Sequence, residues 1–238
     1  MNNIYVLIPA INEEKSIGKV IADIPKNYVK EIVVVDNGSA DNTIQTAKQS
    51  GATVLTESTK GYGSACLKGL GYIFKKNLNS DDIIVFLDGD YSDFPAEMVE
   101  VVKPITEENY DMVIGSRILG KKFGKVSEGA LLPQALFGNW LSTKFIKLIW
   151  NYSFTDLGPF RAVKYSALKA MNMKDKNYGW TVEMQIKAAK MKLKCIEVPV
   201  SYRKRIGESK VTGTVSGSVK AGVKILWVIF VLIFKKDL

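Results

Sequence analysis

The chain has 238 residues, of which 47% are hydrophobic and 24% are charged, so it is long enough for one large globular core or two small ones. It contains no histidine, which excludes Ser-His-Asp and Cys-His catalytic systems and the common histidine-bearing zinc sites. The net charge of +9 is uneven: residues 1–116 carry 10 Lys and Arg against 17 Asp and Glu, whereas residues 117–238 carry 23 against 7.

The first half of the sequence predicts strands that alternate with helices. Short runs rich in β-branched residues predict strands at 4–10, 31–37, 52–57, 82–88 and 111–117. Apolar residues spaced three or four apart predict helices at 13–24, 41–50, 62–76 and 95–105. Apolar strands separated by helices are typical of a parallel sheet covered on both faces, in which ligands bind beyond the carboxyl ends of the strands.

Polar side chains follow three of these strands. The first strand leads into PAINE (9–13), the second ends in DNGS (36–39), and the fourth ends in Asp88-Gly89-Asp90. Any one of these could be a plain turn. Three polar strand ends on one edge of a sheet indicate a shared binding site.

Asp88 and Asp90 lie one residue apart, and Asp93 adds a third carboxylate. Like charges this close repel each other, so a cation between them is expected. Gly89 allows both side chains to project from one tight turn. Such oxygens suit Mg²⁺ or Mn²⁺, which keeps open positions for phosphate oxygens. The alternative is a turn whose acids face water.

The second half is less regular. Its patterns predict a basic loop at 120–129, a helix at 133–150, a strand at 160–163, a helix within 178–192 and a strand at 195–205. With no internal repeat or linker, the economical division is one domain at 1–213 and an appended apolar helix at 214–238.

The apolar tail, ILWVIFVLIF (225–234), predicts a helix that associates with a membrane. A bilayer span needs about 20 apolar residues, and this run is shorter. Lysines on both sides fit a helix that lies in the headgroup layer, with the 133–150 helix beside it. The alternative is a contact between subunits of a homo-oligomer.

Several motifs carry a family resemblance. LIPAINEE, VVVDNGSADNT, KGYGSACLKGL and FLDGDYSDFP occur in this order, followed by GSR, TDLGPFRAV, YGWTVEMQIKA and VPVSYRKRIGESKVTGT. This series, within residues 4–214, resembles the family 2 glycosyltransferases, particularly the dolichol-phosphate mannosyltransferase-like branch that uses dolichyl or polyprenyl phosphates. The resemblance implies a GT-A fold, which is Rossmann-like, with a mostly parallel sheet and helices on both faces.

The resemblance also implies roles for individual residues. The nucleotide pocket would contain Pro9, Ile11, Glu13, Asp36, Lys60, Gly61 and Asp88, with Asp36 accepting from the base. Asp88 and Asp90 would hold the Mg²⁺ or Mn²⁺. This chain departs from the usual pattern twice: Asn37 stands where many relatives have a second Asp, and Ser92 where many have Gln. The first departure leaves the identity of the nucleotide base undecided. The second leaves undecided whether the ligand shell of the metal is complete.

A phosphate monoester acceptor would need cations to hold it rather than a general base. Its second pKa is about 6, so it is largely dianionic at neutral pH. The candidates are Arg117, Arg161, Arg203, Arg205 and Lys210. Arginine forks match phosphate oxygens, and the resemblance favours Arg117 and Arg205.

Two carboxylates are further catalytic candidates. Asp156 could be a base or could orient the acceptor, and the alternative is an ion pair with Arg161. Glu183 matches a family carboxylate, and the alternative is a structural hydrogen-bond acceptor.

The predicted function is a metal-dependent, inverting transfer of a hexose from a nucleotide sugar, of the GDP-mannose or UDP-glucose type, to polyprenyl or dolichyl phosphate. Direct displacement would invert the anomeric centre. We expect the protein to lie at the cytoplasmic face of a membrane, because Cys66 and Cys195 follow no disulfide spacing and no signal peptide precedes the first strand. No nucleic acid partner is expected. The alternatives are a sugar-1-phosphate nucleotidyltransferase and a non-catalytic, membrane-tethered module that binds nucleotide sugars.

Overall fold

The computed structural model describes residues 2–207 and 215–234, with the side chains of 215–221 left out. The predicted phosphate ligand Lys210 lies outside the described residues, as does the predicted domain boundary between residues 213 and 214.

Seven strands form one mixed, mostly parallel sheet. They are β1 (Ile4–Ala10), β2 (Glu31–Asp36), β3 (Thr53–Thr56), β4 (Ile83–Phe86), β5 (Met112–Ser116), β6 (Arg161–Lys164) and β7 (Cys195–Pro199). Their order is β3-β2-β1-β4-β6-β5-β7, and only β6 runs antiparallel to its neighbours among these strands. The sheet confirms the predicted mostly parallel arrangement.

Helices cover both faces of the sheet. They are α1 (Ile17–Asp23), α2 (Thr43–Gln49), α3 (Tyr62–Ile73), α4 (Met98–Glu108), α5 (Arg117–Lys122), α6 (Pro133–Trp150), α7 (Tyr165–Met171), α8 (Trp180–Lys190) and α9 (Val215–Phe234). One hydrophobic core joins the sheet to α3 and α6–α9, and a second joins its other face to α1, α2 and α4. Alternate residues of β1, such as Val6 and Leu7, therefore enter different cores, which explains why the strand is apolar throughout.

Three segments differ from the sequence predictions. Part of the predicted loop at 120–129 belongs to α5, which begins where the Ser116 hydroxyl accepts a hydrogen bond from Leu119 N at 3.1 Å. The short helix α7 was not predicted. The strand predicted at 195–205 ends at Pro199, because the following residues leave the sheet. Residues 200–207, hereafter the crossing segment, pass over the carboxyl edge, where Tyr202 N donates to Lys125 O.

The helix α9 packs against α6 and α8 through one apolar face. Val228, Ile229 and Leu232 are buried in the core beneath it. Its other face exposes Trp227 and Phe230, which are 58% and 53% accessible. Within residues 2–207 and 215–234, no helix combines the length and the apolar character that crossing a bilayer requires.

Candidate active site

A cleft of about 480 Å³ opens over the carboxyl ends of β1, β2 and β4. In the sheet, β1 lies between β2 and β4, so the order of the strands reverses direction at β1. Open α/β sheets bind ligands beyond the carboxyl ends of the strands at such a reversal. The predicted site residues that line it are Pro9, Ile11, Glu13, Lys60, Gly61, Asp88, Asp90, Arg117 and Arg205. The structure therefore brings these nine residues together, whereas the cleft lining does not include Asp36, Asp156, Arg161, Glu183 or Arg203.

Asp90 is buried and held on both carboxylate oxygens. Its Oδ1 accepts from Ser92 N at 2.9 Å and from Ser92 Oγ at 2.5 Å. Its Oδ2 lies 2.8 Å from Arg205 Nη2. Ser92 therefore orients the predicted metal ligand with its hydroxyl, a role that the sequence did not reveal.

Asp88 lines the same cleft and carries one buried oxygen that is unpaired. Its Oδ1 is buried and has no hydrogen-bond partner among the described residues. Burial, reinforced by the negative charge of Asp90, raises the pKa of Asp88 to about 7. A site that leaves such an oxygen unsatisfied suits a ligand that supplies positive charge.

Asp93 is buried next to this pair. Burial and the charges of Asp88 and Asp90 raise its pKa well above its usual range. Neither of its carboxylate oxygens has a hydrogen-bond partner within the described part of the chain. In that same part, no group of three or more acidic or cysteine side chains is arranged to hold a metal ion by itself. The assignment of Asp88 and Asp90 as metal ligands therefore stays a prediction.

Arg117 and Asp156 form a bidentate ion pair at the back of the cleft. Arg117 Nε and Nη2 lie 2.8 and 2.7 Å from the two oxygens of Asp156, and Arg117 N adds a third contact at 2.8 Å. Burial alone would raise the pKa of Asp156, but the charge and hydrogen bonds of Arg117 hold it below its usual value. A carboxylate so engaged is a poor proton acceptor.

Arg161 does not lie where the sequence suggested. It is buried, and its guanidinium donates to Gly158 O at 2.7 Å, Thr181 O at 2.8 Å and Gln185 Oε1 at 3.0 Å. The alternative stated for Asp156, an ion pair with Arg161, is therefore wrong in its partner, because Asp156 pairs with Arg117. Burial lowers the pKa of Arg161 to about 10.

Arg203 lies beside the cleft and holds one of its loops. Its Nε donates to Tyr91 O at 2.7 Å and its Nη2 to Asp93 O at 3.1 Å. The guanidinium also stacks over the rings of Tyr91 and Phe94, 3.4 and 4.0 Å from their centroids. These contacts fix the loop after Asp90 rather than present a cation to the cleft.

Glu183 lies against a different, smaller cavity that α9 helps to line. Its carboxylate accepts from Lys174 N and Asp175 N and pairs with Lys187 Nζ at 2.8 Å. Because Glu183 is buried, these partners rather than water stabilise its negative charge. This geometry matches the alternative stated for Glu183, which is a structural hydrogen-bond acceptor.

Asp36 is the last residue of β2 and is not among the residues that line the cleft. Its Oδ2 accepts from Gly38 N at 3.0 Å and Ser39 N at 3.2 Å, while its buried Oδ1 has no partner among the described residues. One acceptor oxygen is therefore left over next to Asn37, which does line the cleft.

Part of the cleft lining, hereafter the apolar wall, is apolar, and sequence reasoning missed it. It is formed by Ala130, Leu131, Leu132, Ala135 and Tyr178. The Leu-Leu-Pro start of α6 was the available signal, but its position over the cleft depends on how α6 packs. An apolar wall in the same cleft as Arg117 and Arg205 suits a ligand with both an anionic and an apolar part.

The chain is similar to known proteins along most of its length. The family model "Glycosyl transferase family 2" matches residues 5–170. An uncharacterised protein of Methanocaldococcus jannaschii is 34% identical over 221 residues, covering 89% of this chain and 88% of that protein. The UDP-N-acetylglucosamine–dolichyl-phosphate N-acetylglucosaminyltransferase of Methanococcus voltae is 31% identical over 219 residues, covering 83% of this chain and 84% of that protein.

A solved structure shares the fold. Glucosyl-3-phosphoglycerate synthase from Mycobacterium tuberculosis, in complex with Mn²⁺, UDP-glucose and phosphoglyceric acid, superposes with a TM-score of 0.76. The match covers 99% of this chain and 81% of that one at 21% identity, so it shows the common GT-A architecture alone.

Proposed function

We propose, on the premise that this chain belongs to glycosyl transferase family 2, that it transfers a hexose from a nucleotide sugar to a polyprenyl or dolichyl phosphate at the cytoplasmic face of a membrane. As a member of that family the chain is a glycosyltransferase, which decides against a sugar-1-phosphate nucleotidyltransferase. The donor in this proposal is of the GDP-mannose or UDP-glucose type. The observation that carries it is that two carboxylates and two arginines, Asp88, Asp90, Arg117 and Arg205, line one cleft.

The carboxylates support the donor half of the proposal. Asp88 and Asp90 would hold Mg²⁺ or Mn²⁺, and the unpaired Asp88 oxygen fits that role. A bound cation would stabilise the charge that develops on the leaving diphosphate. Lys60 and the spare oxygen of Asp36 lie toward β2, where the nucleotide would be bound.

The arginines support the acceptor half. Arg117 and Arg205 each offer a guanidinium fork to a phosphate, and Asp156 locks Arg117 in one orientation. A dianionic phosphate oxygen can attack the anomeric carbon directly, so no protein base is required, and the attack inverts that centre. Asp156 is therefore a positioning residue in this scheme rather than a base.

Apolar surfaces support a lipid acceptor. The apolar wall at residues 130–135 continues toward the exposed Phe137 and Trp140 of α6. The exposed Trp227, Phe230 and Phe234 of α9 add a second apolar surface. Aromatic residues of this kind favour the headgroup layer of a membrane, and lysines nearby would favour anionic lipid. A contact between two copies of the chain is the competing use of these surfaces.

Purified protein, Mn²⁺ and a short polyprenyl phosphate should be incubated with each common nucleotide sugar. A glycolipid that partitions into organic solvent is the expected product, and the donor that yields it identifies the sugar and the base. Transfer only to a water-soluble phosphate such as 3-phosphoglycerate would contradict the lipid acceptor. Metal-dependent nucleotide binding without turnover would favour the non-catalytic module.

A further inference from the structure

The side chain of Asn37 ties the end of β2 to the loop formed by residues 57–61. Its Nδ2 donates to Glu57 O at 2.9 Å and to Thr59 O at 2.8 Å, and its Oδ1 accepts from Gly61 N at 2.7 Å. The amide orientation follows from these partners, because a carbonyl can only accept and an N–H can only donate. Asn37 is buried and uses both ends of its amide inside the protein.

The loop that Asn37 holds forms one wall of the cleft. Lys60 and Gly61 line the cleft, and Lys60 Nζ reaches back to within 3.5 Å of Gly38 O. Gly61 has a φ of 139°, and a side chain at this position would collide with the carbonyl oxygen of Lys176. The loop is thus fixed between Asn37 on one side and residue 176 on the other.

An aspartate at position 37 could not make the same contacts. A carboxylate could still accept from Gly61 N, but it has no proton to donate to the carbonyl oxygens of Glu57 and Thr59. Its oxygen would lie less than 3 Å from both carbonyl oxygens if the loop kept its path, which is repulsive. The asparagine therefore selects this path of the loop.

We infer that Asn37 is a positioning residue for the nucleotide donor. It sets the distance between the turn at residues 36–38, where the spare oxygen of Asp36 lies, and the wall that carries Lys60. The inference rests on the proposed function and deepens it, since it assigns the shape of the nucleotide pocket to a residue that touches the loop rather than the reacting atoms.

The test compares wild-type protein with Asn37→Asp and with Asn42→Asp. The control adds the same charge at an exposed residue that precedes α2. Binding of UDP and of GDP in the presence of Mn²⁺ is measured by calorimetry, and transfer kinetics are measured with the preferred nucleotide sugar. Asn37→Asp is expected to weaken nucleotide binding and to raise KM for the donor by at least about tenfold, with kcat within about twofold of the wild type.

Two results would overturn the inference. One is nucleotide affinity in Asn37→Asp equal to that of Asn42→Asp, and the other is a fall in kcat with an unchanged KM. Wild-type protein that binds neither nucleotide and transfers no sugar would instead contradict the proposed function itself.

Hydrogen exchange provides a readout that does not depend on turnover or on the stability of Asn37→Asp. In Asn37→Ala the amides of residues 57–61 are expected to exchange faster than in the wild type, and a bound nucleoside diphosphate should restore part of their protection. Unchanged exchange in this loop would also overturn the inference.

Discussion

Arg205 and Asp90 form an ion pair across the cleft, with Nη2 of the arginine 2.8 Å from Oδ2 of the carboxylate. The backbone around Arg205 is fixed, because Arg203 N donates to Ser92 O at 3.0 Å and Ile206 N donates to Asp90 O at 2.9 Å. These hydrogen bonds hold the crossing segment without using the Arg205 side chain. A cation that binds Asp90 must compete with this guanidinium, which would then be free to bind a phosphate.

Arg205→Gln is expected to tighten Mn²⁺ binding to the substrate-free protein by about tenfold, because a unit positive charge next to Asp90 is removed. The same change should slow transfer by about 100-fold, since a phosphate ligand is lost. Free Mn²⁺ is measured by electron paramagnetic resonance. Lys121→Gln is the control, because it makes the identical charge change at an exposed residue that is not among the residues lining the cleft. Equal Mn²⁺ affinities in the two variants would contradict direct competition for Asp90.

Asp90→Ala is expected to leave the fold intact and to reduce transfer by at least about 100-fold, because the main cation ligand is lost. Circular dichroism checks the fold, and radiolabelled donor measures the transfer. Asp81→Ala is the control, since this carboxylate is 63% exposed and lies outside the cleft lining of the described residues. Wild-type activity in Asp90→Ala would reject the metal assignment.

The regular part of the fold could be predicted because its signals are local. Continuous apolar runs identify β1, β2 and β4, since both faces of these strands are buried. The antiparallel insertion of β6 between β4 and β5 left no such signal. This strand has only four residues and contains Arg161 and Lys164, and its direction is decided by packing with distant segments.

The same difference applies to the site. Asp88 and Asp90 could be recognised as site residues because two carboxylates one residue apart at a strand end repel each other, and this signal is local in the sequence. The role of each arginine could not, because most of its partners come from distant parts of the chain. Arg161 is satisfied by Gly158 and α8, and Arg203 by residues 91 and 93, and no spacing in the sequence encodes these contacts.

Asp156→Asn is expected to reduce the free energy of unfolding by about 3–5 kcal/mol at neutral pH, because it leaves the largely buried Arg117 guanidinium without its counter-charge. The folded pKa of Asp156 lies below its ordinary value of 3.8, so the ionised pair contributes stability above that value. This contribution is lost as the pH falls through the folded pKa.

The difference between wild type and Asp156→Asn should therefore be constant from about pH 5 to 8 and shrink below about pH 3.8. Urea unfolding at a series of pH values measures it. A difference that does not change with pH down to about pH 2 would show that the charge of Asp156 is not what stabilises the fold.

The exposed aromatic face of α9 gives a prediction about membranes. The double substitution Trp227→Ser and Phe230→Ser is expected to weaken sedimentation with liposomes by at least about tenfold, because both side chains lose apolar burial in the headgroup layer. Both residues face away from the core, so the fold should be retained. Tyr28→Ser is the control, because this ring is 53% exposed at the other end of the sheet, where Lys30 N pairs with Ile4 O.

Deletion of residues 221–238 should weaken sedimentation with liposomes as well. It also removes Val228 and Leu232 from the core, however, and exposes the apolar surface that they cover. The point substitutions are therefore the sharper test. If they leave liposome binding unchanged but convert an oligomer to a monomer, the aromatic face is a subunit contact.

Asp175 joins α9 to the segment around residue 176, which packs against the loop formed by residues 57–61. Its Oδ1 accepts from Asn177 N at 2.7 Å and Gly179 N at 3.0 Å, and its Oδ2 pairs with Lys224 Nζ at 2.9 Å. Asp175→Ala should therefore cost about 2–3 kcal/mol of unfolding free energy, because the N–H groups of the buried Gly179 and of Asn177 lose their acceptor. Lys224→Gln should cost only about 1 kcal/mol or less, since the Lys224 side chain is 35% exposed and the Asp175 carboxylate keeps its two backbone donors. Urea unfolding of both variants measures the difference, and equal costs would show that the ion pair to α9, rather than the turn, is what Asp175 stabilises.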